Sequence, residues 1–193
     1  MGNDSYGRKE ALALLHEYVK SDSLLKHALT VEAVMRHFAL LLGQGDVEKW
    51  GVVGLLHDID YERYPEQHCA KAREILESRG WPEDIIHAVQ SHGYQIVNDI
   101  EPVLTMEKVL YAADELTGLI HATAIVRPGR SLSDLGVSSV KKKWKQKGFA
   151  AGVNRDLIAD GAKLLGMETD ELIAQTIAGM RPVEKEIGLG EGA

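Results

Sequence analysis

The chain has a single cysteine, Cys69, among 193 residues. One thiol excludes an internal disulfide framework and suits a reducing compartment. No apolar run approaches the length of a membrane span. The first ten residues, Met1 to Glu10, are polar and lack the apolar core of a signal peptide. The expectation is a cytoplasmic protein with no membrane contact. Positive charge is in deficit, with 22 Lys and Arg against 29 Asp and Glu for a net −7, which argues against a general nucleic-acid binder. There is no internal repeat, and no alternating run long enough to suggest a sheet.

What is present is helical period. Nearly every segment repeats its apolar residues at three and four positions, so the expected fold is all-α. The first helix spans Arg8 to Lys20, and the second runs from about Leu24 to Leu42 and stops at Gly43-Gln44-Gly45. Asp46 caps a third, which ends near His57-Asp58. After a loop through Asp60, a fourth opens at Pro65 or Glu66 and closes at Gly80. The fifth runs from Trp81-Pro82 to His92-Gly93, and Thr105 caps a long sixth that reaches Val126. Residues 127–153 are the least regular part and contain the Lys141 to Lys147 basic run. Asn154 caps a helix ending at Gly166, Thr169 caps a last one to about Ile187, and the tail from Gly188 is expected to fray. We expect one domain over 1–193, with a core at 20–125 and a helical extension at 126–190 packed on it.

Polar residues fall in unusual places on these helices. At 100° per residue, His27 faces inward with Val31, Val34, Met35 and Phe38. His57 shares the face of Trp50, Val53 and Gly54, and the apolar run before it ends in the pair His57-Asp58. His68 stands on the stripe of Ala72, Ile75 and Leu76, and His92 on that of Ile85, Ala88 and Val89. Asp114 is flanked at four-residue spacing by Leu110 and Gly118. One histidine on an apolar face is more often a satisfied core residue than a ligand. Five helices that each aim a His or Asp inward are better explained together, because buried unpaired imidazole and carboxylate are costly and a cation removes that cost. Mixed imidazole and carboxylate donors suit Mn, Fe, Co, Ni or Zn better than Ca, so one or two divalent transition-metal ions are expected.

The order His27, His57-Asp58, Asp114 on consecutive helices resembles the HD-domain superfamily of metal-dependent phosphohydrolases, over roughly residues 20–125. The resemblance implies that His27, His57, Asp58 and Asp114 hold a first metal. It implies that His68 and His92 hold a second, with Asp58 bridging. More narrowly, the stretches Asp114 to Ile120, Ser138 to Lys143 and Phe149 to Arg155 resemble small bacterial proteins described only as predicted HD-superfamily hydrolases. The subset that degrades cyclic dinucleotides has a Gly-Lys after the Ile of the HD motif and a later Gly-Tyr-Pro. Here Ile59 is followed by Asp60-Tyr61-Glu62, and Gly93-Tyr94 by Gln95, so that activity is not assigned.

Asp60 and Glu62 are expected to assist Asp58 in catalysis, because their loop leaves from the metal ligands; the alternative is a pair of solvated loop acids. Lysines 141 to 147 spread round a helix as a solvated surface would, yet an anionic substrate needs counter-charge. A phosphate contact is therefore assigned to at least one of Arg127, Arg130, Lys142 and Arg155. His87 and His37 read as lying off their helices' inward faces, and His16 carries no signal. His121 lies on the Asp114 stripe two turns away, as a core histidine or a support to the site. Cys69 reads as a buried small residue. The expected activity is hydrolysis of a small nucleotide-like or phosphorylated metabolite, as phosphomonoesterase or phosphodiesterase. A di-iron oxygenase and a non-catalytic signalling module are the rivals, and a homo-oligomer is left open.

Overall fold

Apolar residues spaced three and four apart fold into nine α-helices, and there is no strand among the described residues, which are 6–190 of this computed structural model. The helices are α1 (Arg8–Tyr18), α2 (Asp22–Leu41), α3 (Val47–Leu56), α4 (Ala70–Ser78), α5 (Glu83–Ser91), α6 (Thr105–Ile125), α7 (Val137–Trp144), α8 (Arg155–Leu165) and α9 (Thr169–Met180). The fold is all-α, and no helix among the described residues is long and apolar enough to cross a membrane. Residues 1–5 and 191–193, which include the end of the tail, lie outside the described residues.

Local chemistry sets the helix ends. The Asp46 carboxylate accepts from the Lys49 N–H at 2.9 Å and starts α3. The Asn154 side chain accepts from Asp156 and Leu157 at 3.1 and 3.4 Å and starts α8, each meeting N–H groups that have no partner within the helix. At α6 the work is done by Glu107 rather than Thr105. Its buried carboxylate reaches back to the N–H groups of Val103 and Leu104 at 2.7 and 2.9 Å.

Helix α2 is central. It packs against α3, α6 and α9, while α6 also carries α8. Phe38, Met35, Leu55, Leu56, Leu110 and Leu116 are fully buried where these helices meet. Each such side chain contributes about 1.5–3 kcal/mol relative to exposure. A Cβ on Gly54 would stand 2.9 Å from the Val31 carbonyl oxygen and 3.0 Å from the Glu32 Cα. The missing side chain therefore lets α3 lie directly on the backbone of α2, one turn from His27.

Three boundaries differ from the sequence expectation. The fourth helix does not start at Pro65. A single 3-10 turn, Pro65–Gln67, is followed by His68 in an extended conformation and by Cys69 at φ 65°, and α4 begins only at Ala70. The last helix ends at Met180, where Pro182 removes an N–H from the chain and a 3-10 turn takes over. The segment 188–190 is docked rather than frayed. Ile187 and Leu189 are buried, the Gly190 N–H donates to the Arg130 carbonyl at 2.8 Å, and Glu184 accepts from the Leu132 N–H at 2.6 Å. Within the irregular stretch, α7 forms and buries Val140.

Gly54→Ala should cost roughly 1–3 kcal/mol in urea unfolding, because its methyl meets backbone that cannot move aside. Gly118→Ala, whose Cβ would meet only Val153 Cγ2 at 3.7 Å, should be neutral or stabilise by up to about 1 kcal/mol. Equal effects would contradict the close α2–α3 approach.

Candidate metal centre

The inward-facing groups of four helices and one turn converge at a single point. His27 comes from the first half of α2, and His57 and Asp58 leave the end of α3. His92 closes α5, Asp114 lies mid-way along α6, and His68 projects from the turn before α4. His57 is fully buried, and His27 is the most open of the set at 26%.

The tautomers follow from what the outer nitrogens meet. The Nδ1–H of His57 donates to the Gly54 carbonyl at 2.8 Å. The Nδ1–H of His92 donates to the Val89 carbonyl. In both, an imidazole three residues on takes up a carbonyl that the ending helix leaves unpaired. His68 Nδ1–H donates to Asp60 Oδ1 at 2.8 Å. A carbonyl or carboxylate oxygen can only accept, so each Nδ1 carries the proton and each Nε2 presents its lone pair inward in the neutral ring.

The Nε2 atoms face each other. His27 Nε2 and His57 Nε2 are 3.1 Å apart, and Asp114 Oδ1 lies 3.0 and 3.4 Å from them. Asp58 Oδ2 is 3.8 and 3.5 Å from the same two nitrogens. On the other side, His68 Nε2 and His92 Nε2 are 3.1 Å apart, and Asp58 Oδ1 is 3.4 Å from each. Donor atoms about 2.1 Å from a common cation are separated by about 3.0 Å at octahedral and 3.4 Å at tetrahedral angles. Both groups therefore fit a transition-metal ion, and Asp58 offers one oxygen to each. Cys69 also lies near, with Sγ 4.0 Å from His92 Nδ1. That nitrogen is already committed to Val89, so the thiol faces the outside of the ring, and Asp58 Oδ1 completes the second group.

The electrostatics agree with this donor set. Burial pulls His57 down, but the charges of Asp58 and Asp114 more than offset it and raise it to about 10. Burial likewise pulls on His68, and the Asp60 hydrogen bond carries it up to about 9. His92 is held well above its ordinary value against burial by Cys69 and Asp58. Burial raises Asp58 and Asp114, and the facing imidazoles overcome it and hold both carboxylates well below their usual range. A field that retains protons on buried imidazoles also attracts a divalent cation.

The remaining expected residues are distributed differently. Asp60 is a correction, since it is fully buried and faces away from the cavity. Its carboxylate takes His68 Nδ1–H on one oxygen and the Ala72 N–H, at 2.8 Å, on the other. It thus orients His68 and starts α4. Glu62 is a second correction. It is exposed and accepts from the Lys20 and Ser21 N–H groups at 2.8 and 2.9 Å, tying its loop to the start of α2. Arg127 is bound by Asp134 at 2.7 Å. Arg155 donates to the Trp144 and Val153 carbonyls at 2.9 and 3.1 Å and staples the loop before α8. Lys142 lines a separate open hollow on α7. None of these three lines the cavity over the ligands. Arg130 lines a neighbouring cavity that His27 also borders.

The cavity over the ligands has a volume of ≈ 330 Å³ and is walled by Tyr61, Ile96, Glu115 and Val153 in addition to the ligands. The Tyr61 ring meets the His68 ring edge-on at 5.2 Å between centroids. Burial, then the neighbouring Asp114 charge, raises the Glu115 carboxyl. Sequence reasoning missed these walls, and only the adjacency of Tyr61 and Glu115 to ligands signalled them. His37 bonds Gln175 at 2.7 Å, His121 the Ile187 carbonyl at 3.2 Å, and half-exposed His87 pairs with buried Glu107 at 2.8 Å.

Asp60→Asn should weaken metal binding at the His68–His92 position about 10- to 100-fold and leave the His27 side unaffected, as read by competition titration with a chelator. Metal uptake should also release protons. His57 and His68 are raised from about 6.5 to about 10 and about 9, so the metal-free rings are protonated at neutral pH. That raised value stabilises the metal-free fold fully below the unfolded pKa, and the contribution is lost as pH climbs through 9 and 10. Calorimetry in buffers of different ionisation heat should record at least one proton released per chain at pH 7, and metal-free protein should unfold at lower urea at pH 10 than at pH 7. Uptake without proton release would contradict this charge state.

Comparison with curated proteins finds no match, and comparison with solved structures finds none either. The family model of the HD domain matches residues 24–119, which contain all six converging side chains. The chain belongs to the HD domain family.

Proposed function

We propose that this chain is a metal-dependent phosphohydrolase that cleaves a small phosphate ester with two divalent transition-metal ions. Asp58 carries the reading. It turns Oδ2 toward the His27–His57–Asp114 group and Oδ1 toward the His68–His92 group. Metal bound there would supply a lowered-pKa water and positive charge for a phosphoryl oxygen.

The chain's own residues define the rest. Hydrogen bonds from His57, His68 and His92 to Gly54, Asp60 and Val89 hold the rings so that no reorganisation is needed when charge develops. Tyr61 and Ile96, each about half exposed, line the cavity and would shield part of it from water. Glu115 is the carboxylate left in the cavity once the ligands are accounted for, and its Oε2 accepts from the Asn154 N–H at 3.2 Å. Among the described residues it stands where a proton can be passed to a leaving oxygen, the role expected of Asp60 and Glu62.

The test is metal analysis of the purified protein together with phosphate mono- and diesters assayed with Mn, Fe, Co, Ni, Zn or Mg. Two equivalents of metal and metal-dependent phosphate-ester cleavage are expected. Asp58→Ala should lose the second equivalent and lower kcat by at least about 10³-fold, on the scale of removing metal-assisted catalysis. Full metal content and wild-type turnover in Asp58→Ala would refute the site. Iron-dependent O₂ consumption without phosphate release would replace the hydrolase with the oxygenase.

A further inference from the structure

Beside the ligand cavity is a second cavity of ≈ 410 Å³, and His27 and Gly118 line both. Its inner side is α2 and α6. Its outer side is Arg130, Ile187 and Gly188, with Ile125 at the end of α6, all beyond the matched residues 24–119. The docked C-terminal turn therefore builds one wall of a space that shares His27 and Gly118 with the cavity over the candidate metal centre. Gly118 lines both cavities, and a Cβ there would meet only Val153 Cγ2 at 3.7 Å.

Carbon atoms supply most of the exposed wall, and polar groups of Asp22, Ser23, Thr30 and Thr117 stand among them. Ile125 and Ile187 both line it, and the His121 Nε2–H is occupied by the Ile187 carbonyl at 3.2 Å. About 150 Å³ is enough for a benzene ring, so the space exceeds one ring and its substituent. Two cations border it, and they differ. Lys26 is answered by Asp22 at 2.7 Å. Arg130 has no carboxylate partner among the described residues, whereas Arg127 in the same turn is paired with Asp134. The Arg130 backbone is held on both sides, its N–H donating to the Arg127 carbonyl at 3.0 Å and its own carbonyl accepting from Gly190 at 2.8 Å. A cation rooted in a fixed turn at the edge of an apolar space is suited to an anion carried on an apolar body.

We propose that this groove takes the organic part of the substrate, a ring-sized apolar group bearing a second anionic group that Arg130 receives, while the ester phosphate occupies the metal centre. The substrate class is a ring-bearing phosphate ester with a second carboxylate or phosphate. The metal ligands come from the matched core, and the specificity from the C-terminal extension. The inference rests on the phosphohydrolase reading for what occupies the metal centre.

The test uses the full chain loaded with Mn and calorimetric binding of non-hydrolysable phosphonates. These are methylphosphonate, benzylphosphonate and benzylphosphonates carrying a carboxylate or a second phosphonate on one to three methylenes. Benzylphosphonate should bind about tenfold tighter than methylphosphonate, and the best doubly anionic member about tenfold tighter again. Arg130→Ala should abolish the second gain and Arg130→Lys restore part of it, while Ile187→Trp, which narrows the groove, should abolish the first. The carboxylate and phosphonate arms identify the second anion. Equal affinity of plain and doubly anionic rings in the wild type, or an equal loss for every ligand in Arg130→Ala, would overturn the proposal. If Ile187→Trp does not fold, the Arg130 pair decides alone. Predicted ratios without ester cleavage under any metal would fail the hydrolase and leave the groove. Cleavage of small esters with ratios near one would fail the groove alone.

Discussion

Acceptor atoms crowded against acceptor atoms are the constraint on which this molecule turns. The Nε2 atoms of four imidazoles and the oxygens of two carboxylates converge with neighbouring atoms 3.0 to 3.8 Å apart. Without a positive charge among them the arrangement is repulsive. The protein nevertheless keeps it, since Gly54, Asp60 and Val89 each fix one ring from behind. The close crossing of α2 and α3 at Gly54 serves the same end, because it brings the His57 backbone to the helix that carries His27.

The inward-facing groups on long helices were legible because their spacing relative to apolar neighbours is fixed by helix geometry. His27, His57, His92 and Asp114 all take the inward direction that the stripes indicate. His68 was named for a reason that does not hold. It reaches the cluster from an extended residue, before a left-handed Cys69, and not from a helix face. Its agreement with the stripe of Ala72, Ile75 and Leu76 is incidental. What sets it is Asp60, which spends one oxygen on His68 and the other on Ala72. A carboxylate eight residues from a ring and twelve from an amide has no periodic signature.

The basic residues show the same limit from the other side. Composition made residues after Asp114 look like one basic region, but composition has no direction. Asp134 takes Arg127, carbonyls at the loop before α8 take Arg155, and only Arg130 borders the space that adjoins the metal centre. The tail, short and polar in sequence, gains its place because Ile187 and Leu189 bury against the body and Gly190 bonds Arg130. Long-range docking of a few residues thus decides which of these cations borders that cavity, and local sequence does not carry it.

The central claim is that Asp58 joins two metal positions. The most direct measurement is an anomalous difference map from crystals of the full chain grown with Mn. The account predicts two peaks, one among His27, His57 and Asp114 and one between His68 and His92, with a different Asp58 oxygen on each. A single peak bound without Asp58, or a peak on the Cys69 side of His92, would contradict it.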